Sequence, residues 1–171
     1  GYGGYVYDGR YGASVEKLIS YYKLEPGARV LEIGCAKGFI LYEFYKRGML
    51  VAGIDISNYA VSNAIPDVKA MIVEGSCEQL PWGNNSFDLV YSKETLPHLS
   101  ETQLINAIKE SLRVCRTNNI FFEIQVGEDE LQQSMVKAWD ETHQCVKDTK
   151  WWYEFLSKNG FKGQVNFKPL F

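Results

Sequence analysis

The stretch "RVLEIGCAKGFILYEFYK" (residues 29–46) sets the fold. Its first five residues form a short apolar run that enters glycine, the pattern of a strand buried on both faces. From Phe39 to Lys46 the composition is helical. Between the two lie Gly34, Cys35, Ala36, Lys37 and Gly38, with small residues at 34, 36 and 38 that let backbone N–H groups approach a ligand at the start of a helix. A strand, a small-residue turn and a helix form the opening unit of a parallel α/β sheet.

The same alternation runs outward in both directions. Upstream, residues 14–23 carry Val15, Leu18, Ile19 and Tyr22 at helical spacing behind Ser14 as the expected N-cap. Downstream, "LVAGIDI" (50–56), "VKAMIVEG" (68–75), "SFDLVYS" (86–92) and "NIFFEIQV" (119–126) read as strands. A short helix over 57–64, stopped by Pro66, and a clear one over 101–116 separate them; Leu104, Ile105, Ile108, Leu112 and Cys115 share a face of the second. After the fifth strand comes a polar segment, then a helix from Thr149 to Lys158 closed by Asn159–Gly160. "FKGQVNF" (161–167) is the last strand, expected to run antiparallel to the rest. The reading is one doubly wound Rossmann-like α/β domain, with a flap over 1–13 and a core over 14–171.

Bulk properties narrow the function. The 171 residues carry a net charge of −3, and the sequence pI is about 5.5. That balance argues against a partner bound through phosphate neutralisation, so no nucleic-acid partner is expected. Apolar runs are strand-length, so no membrane partner is expected either. Cys35, Cys77, Cys115 and Cys145 form no CxxC pair and read as reduced, partly buried thiols of a cytoplasmic protein with no signal peptide. With only His98 and His143 as imidazoles, no metal site is expected.

In a doubly wound sheet the ligand sits at the carboxyl ends of the strands. Gly34 and Gly38 stand four positions apart, which is neither the dinucleotide spacing nor a phosphate loop. Glu32 precedes the turn where a cationic group could be held, and Asp55, 17 residues after Gly38, occupies the position of a ribose-binding acid.

Four segments together, "VLEIGCAKGF" (30–39), "VAGIDIS" (51–57), "EGSCEQLPWGNNSFDLVYS" (74–92) and "SLRVCRTNNIFFEI" (111–124), resemble the class I S-adenosylmethionine-dependent methyltransferases. The resemblance implies S-adenosyl-L-methionine as cofactor, S-adenosyl-L-homocysteine as product, and roles by position. Gly34, Cys35, Ala36 and Gly38 would form the loop at the methionine and ribose, with Glu32 organising it or meeting the amine. Asp55 would take the ribose hydroxyls, Ile56 would pack on adenine, and Ser76 and Cys77 would reach its edge. Tyr91 and Ser92 would meet the methionyl end. Ala36 replaces the usual middle glycine, and Ser76 stands where the family often has Asp. The stretches "GYGGYVYDGRY" (1–11) and "WDETHQCVKDTKWWYEFLSKNGF" (139–161) are similar to those of bacterial small-molecule and glycan-biosynthesis methyltransferases, which implies a small-molecule or sugar acceptor.

On the acceptor side, His143 beside Asp140 suggests a general base and its orienter. His98, Glu123, Trp151 and Trp152 are candidate acceptor contacts, and Gln125 shares a face of the fifth strand with Glu123 as a further polar candidate. In "GYGGYVYDGRYG" (1–12), glycines allow a turn and tyrosines offer rigid contact area. Tyr5, Tyr7 and Tyr11 are expected on the cleft side, with Asp8 and Arg10 offering charges. Three alternatives stay open: a partner-dependent cofactor-binding subunit, a methyltransferase acting on protein or nucleic acid, and a nicotinamide oxidoreductase, the last disfavoured by the loop spacing. Oligomeric state is not legible.

Overall fold

A computed structural model describes residues 5–169. Six strands form one sheet in the order β3-β2-β1-β4-β5-β6. They are β1 (Arg29–Ile33), β2 (Leu50–Asp55), β3 (Ile72–Glu74), β4 (Leu89–Lys93), β5 (Ile120–Val126) and β6 (Gln164–Pro169). The helices are α1 (Gly12–Tyr22), α2 (Phe39–Lys46), α3 (Asn58–Ser62), α4 (Pro66–Lys69), α5 (Glu101–Val114), α6 (Glu130–Trp139) and α7 (Thr149–Lys158).

All five pairings are parallel, including β5 with β6, where Phe121 lies opposite Gln164 and Val126 opposite Pro169. The expected antiparallel last strand is therefore corrected. α6 and α7 carry the chain back to the start of the sheet, and a helical crossover returns the next strand parallel.

Two apolar layers flank the sheet. Val15, Leu18, Val30, Ile40, Phe44, Leu89 and Tyr91 pack on the α1–α2 side. Leu31, Ile33, Val90, Leu104, Ile108, Phe122, Trp152 and Leu156 pack on the α5–α7 side. Burial on both sides explains why the central strands read as continuous apolar runs rather than alternating ones. Asp129 caps α6 and Asp148 caps α7 through side-chain oxygens, and Ser100 with Gln103 forms a capping box on α5.

Several local expectations shift. α1 begins at Gly12, with Tyr11 rather than Ser14 at its N-cap. Pro66 opens α4 instead of merely ending α3, as suits proline at a first helical position. The polar segment after β5 contains α6, whose one buried side chain, Val136, left its helical period faint. His98 ends a 3-10 turn, Leu96–His98, ahead of α5.

Candidate functional site

The chain runs outward from β1 through β2 to β3, then returns across β1 to β4, so the topological switch falls between β1 and β4. A ligand crevice is expected at the carboxyl ends of those strands. A cleft of about 1270 Å³ opens there. One end is lined by Glu32, Gly34, Cys35, Ala36, Asp55 and Ile56; the other by His98, Trp139, Asp140, Thr142, His143 and Gln144.

The loop after β1 is held by its neighbour strand. Gly34 N–H and Cys35 N–H both donate to the Ile54 carbonyl, at 2.8 and 3.1 Å. Gly34 has φ +70°, and a Cβ there would stand 2.0 Å from Thr95 Oγ1, so only glycine fits. Gly38, at φ +75°, caps α2 against Ile72 and Val68 and supports the loop from behind, without lining the cleft. Ala36 also has a positive φ, 47°, which costs an L-residue about 1–2 kcal/mol. Its N–H donates to Asp55 Oδ2 at 2.7 Å, while Asp55 Oδ1 accepts from Ser57 N–H at 2.9 Å. Asp55 thus clamps both loops and keeps lone pairs on its cleft side.

Glu32 is the electrostatic anomaly. It is buried at 3% exposure, and its Oε2 has no hydrogen-bond partner among the described residues. Burial, reinforced by the nearby Asp55 charge and opposed by the Leu41 backbone and Lys93, pushes its carboxyl well above the usual carboxylate range. A buried acid of this kind on a cleft wall can receive a cationic group. Ile56, an apolar side chain left 78% exposed at the end of β2, offers an uncovered flat contact nearby. Ser76 and Cys77 line the same end. Burial raises the Cys77 thiol to about 11 and lifts Cys35 further, so both are neutral packing groups and not nucleophiles.

The His98–His143 end is built by two loops. Gln144 and Cys145 donate their backbone N–H groups to the Pro97 carbonyl at 2.8 and 2.9 Å, and Gln144 Nε2 donates to the His98 carbonyl at 2.9 Å. This brings the His98 and His143 rings to a centroid separation of 4.4 Å. Thr142 Oγ1 donates to Asp140 Oδ1 at 2.6 Å and stands 2.9 Å from His98 Nδ1. Burial and the neighbouring His143 lower the His98 pKa. Burial opposes ionisation of Asp140, but the Thr142 hydroxyl and amide and the two imidazoles outweigh it and hold that carboxyl below its usual value.

Several sequence expectations are corrected by this placement. Asp140 is tied through Thr142 to His98, while His143 Nδ1 faces the Val136 carbonyl at 3.4 Å, so the His143–Asp140 dyad is not formed. Tyr91 points to the α1–α2 layer, against Phe44 and Phe121, because strand alternation puts its side chain on that face. Ser92 is fully buried and donates to the Ile33 carbonyl, bracing β1 against β4. Trp152 is a core residue and Trp151 stacks on Phe155, so neither walls the cleft; Trp139 does. Glu123 pairs with Lys93 at 2.5 Å. Its partner Lys93, with Glu94, Thr95 and Gln125, lines the cleft, and none of these four was singled out as a binding residue from sequence except Gln125, beside Glu123.

The N-terminal segment divides. Tyr5 and Tyr11 line the cleft, Tyr5 also stacking on Phe39 at 4.4 Å. Tyr7 instead donates to the buried Glu43 carboxylate on α2, and Asp8 and Arg10 neutralise each other in an exposed pair. Residues 1–4 of the predicted flap lie outside the described residues.

Glu32 Oε2 and the glycine-only cradle at Gly34 together fit a zwitterionic nucleoside carrying a cationic end and ribose hydroxyls. A family profile described as "Methyltransferase domain" matches residues 31–122. An uncharacterized methyltransferase of Synechocystis is 33% identical over 99 residues, covering 57% of this chain and 47% of the relative. The 2-methyl-6-phytyl-1,4-hydroquinone methyltransferase of Synechocystis is 32% identical over 124 residues, covering 68% and 38%. The sterol 24-C-methyltransferase of Gibberella zeae is 30% identical, covering 65% and 33%. The chain thus spans between a third and a half of the length of these relatives. Among solved structures, a SAM-dependent methyltransferase from Archaeoglobus fulgidus superposes with TM-score 0.71 at 21% identity, covering 88% of this chain and 67% of that one. The YcgJ protein of Bacillus subtilis does so at 0.72 and 21%, covering 86% and 67%. These two bear on the fold. The chain belongs to the methyltransferase domain family, of the class I, Rossmann-like type whose cofactor is S-adenosylmethionine.

Proposed function

We propose that the chain transfers a methyl group from S-adenosylmethionine to a small-molecule acceptor, with hydroxylated molecules such as sugars or glycan precursors as the favoured class. The observation that carries this reading is the continuity of the cleft. One open volume joins the acidic Glu32–Asp55 end to a polar end lined by two imidazoles. Small-molecule acceptors also appear in the names of the hydroquinone and sterol methyltransferase relatives.

When bound, S-adenosylmethionine supplies an electrophilic methyl group on a sulfonium. The chain's own residues bind and align. Glu32 gives a buried negative charge to the cationic end, and Asp55 accepts from the ribose hydroxyls. Ile56 covers one face of the adenine, with Ser76 and Cys77 at its edge. Tyr5 and Tyr11 close the cleft and exclude water, the role proposed for the flap. At the other end His98 and His143 present their remaining ring nitrogens to the acceptor side, oriented through Thr142 and the Val136 carbonyl, and Trp139 offers a flat apolar wall. Alignment and dehydration are the main contributions such a site can make to a reaction whose donor is already activated. The four cysteines, all buried and unpaired, suit a cytoplasmic setting.

The test is turnover across a panel of sugars, phenols, amines, a protein and an RNA, read as S-adenosylhomocysteine release and a methyl mass increment on the acceptor. Turnover with a small molecule is expected. Turnover confined to protein or RNA, or cofactor binding with no turnover until another protein is added, would overturn it.

A further inference from the structure

We infer that His98, His143 and Asp140 form a binding site for a divalent first-row transition cation at the acceptor end of the cleft. One ring nitrogen from each imidazole and one carboxylate oxygen lie within 4.8 Å of one another. All three residues line the cleft. Around a tetrahedral zinc-like ion, ligand atoms at about 2.0–2.1 Å from the metal stand roughly 3.4 Å apart. Closing the set onto an ion therefore takes about 1 Å of side-chain adjustment.

The surrounding hydrogen bonds leave a donor atom on each residue. A carbonyl can only accept, so His143 Nδ1, facing the Val136 carbonyl at 3.4 Å, carries the proton and its Nε2 keeps a lone pair. The single hydroxyl proton of Thr142 goes to Asp140 Oδ1 at 2.6 Å. Thr142 Oγ1 must then accept from His98 Nδ1–H, and the Nε2 of His98 keeps its lone pair too. Asp140 Oδ1 takes both the hydroxyl and the amide of Thr142, while Oδ2 takes no hydrogen bond from any described residue. An imidazole fixed by a carbonyl and another fixed by a hydroxyl-carboxylate relay are the outer supports that histidine ligands use.

The composition of the set selects the ion. Two imidazoles with one carboxylate favour zinc, iron, cobalt or nickel over magnesium or calcium, which take oxygen cages. Three protein ligands leave at least one position open, as in catalytic rather than structural metal sites. Where the methyl-transfer reading holds, on which this last step rests, that position faces the cleft and selects acceptors bearing an oxygen donor.

The experiment uses the tag-free full chain, stripped with a chelator and titrated with Co²⁺ alone. Visible absorption reports the ligand field, and calorimetry with S-adenosylhomocysteine is run on the same sample. Uptake of about one equivalent of Co²⁺ with a bound-state spectrum is expected, displaced by Zn²⁺. His98→Ala and Asp140→Asn should each weaken uptake by at least about tenfold, with an unfolding midpoint close to that of the parent chain. Absence of stoichiometric uptake, or uptake unchanged in both variants, overturns the site. S-adenosylhomocysteine binding without Co²⁺ uptake overturns the metal site alone; Co²⁺ uptake without nucleoside binding supports it while removing the cofactor reading.

Discussion

Replacing Glu32 by Gln should stabilise the ligand-free chain and weaken its hold on the cofactor at the same time. The carboxyl is buried at 3% exposure with one oxygen unpartnered, and burial is the main reason its pKa lies well above the usual range. In the unfolded chain the same group ionises near pH 4.3. Between that pH and its raised folded value, the folded state binds more protons than the unfolded state. Stability contributed by this group therefore falls as pH rises through the window, by about 1.4 kcal/mol per pH unit at most. At pH 7 the cost has a ceiling of about 4 kcal/mol, set by the distance from the unfolded value. A neutral carboxamide of the same shape escapes the penalty. Glu32→Gln should gain about 1–4 kcal/mol at pH 7, or roughly 2–16 °C in unfolding midpoint for a domain of this size. The gain should shrink towards zero near pH 4, where the wild-type acid is protonated in both states. Loss of a charge-assisted contact should meanwhile weaken S-adenosylmethionine binding by about 1.5–3 kcal/mol, or roughly 10- to 150-fold. Thermal unfolding at two pH values and isothermal calorimetry read both signs. A variant that is less stable at pH 7 and binds as before would refute the reasoning.

Other substitutions probe the rest of the cleft. Asp55→Ala should weaken cofactor binding by about 1–3 kcal/mol by calorimetry, and should also lower stability because Ala36 and Ser57 lose their acceptor. Gly34→Ala should cost about 2 kcal/mol or more in denaturant unfolding, since the added Cβ meets Thr95 Oγ1 at 2.0 Å in a left-handed conformation. Ala36→Gly should go the other way by about 1 kcal/mol, relieving the positive φ. Removing residues 1–11 takes away Tyr5 and Tyr11 from the cleft; affinity should drop while far-ultraviolet circular dichroism stays native, and unchanged affinity would mark the segment as a bystander.

The sheet was legible because its central strands carry their own signal. Residues 30–33 and 120–126 are apolar throughout or nearly so, and the turn chemistry at Gly34 and Gly38 belongs to a strand–helix junction. The direction of β6 was not legible, since period and composition do not encode which way a strand lies beside its partner. The Glu32–Asp55 end of the cleft could be read because its residues are local in sequence to strand ends. The His98–His143 end could not, because it is assembled by contacts across distance. His98 and Thr142 meet only after the Pro97 carbonyl accepts from Gln144 and Cys145. Proximity in sequence suggested that Asp140 serves His143; the fold gives it to His98 through Thr142. Tyr91 was misplaced for a simpler reason, since a strand position fixes which face a side chain takes but the sequence leaves open which face is the cleft. Trp139 went unnoticed because α6 buries little and reads as polar.

On the proposed reading, one cleft at the β1–β4 switch seats the cofactor at Glu32 and Asp55 and leaves the His98–His143 end for the acceptor. A crystal structure with S-adenosylhomocysteine decides between this arrangement and any other. Ribose hydroxyls on Asp55, the amino acid end beside Glu32 and Gly34, and open space in front of His98 and His143 are expected. Nucleoside density elsewhere, or lying across the two histidines with Asp55 untouched, would contradict it.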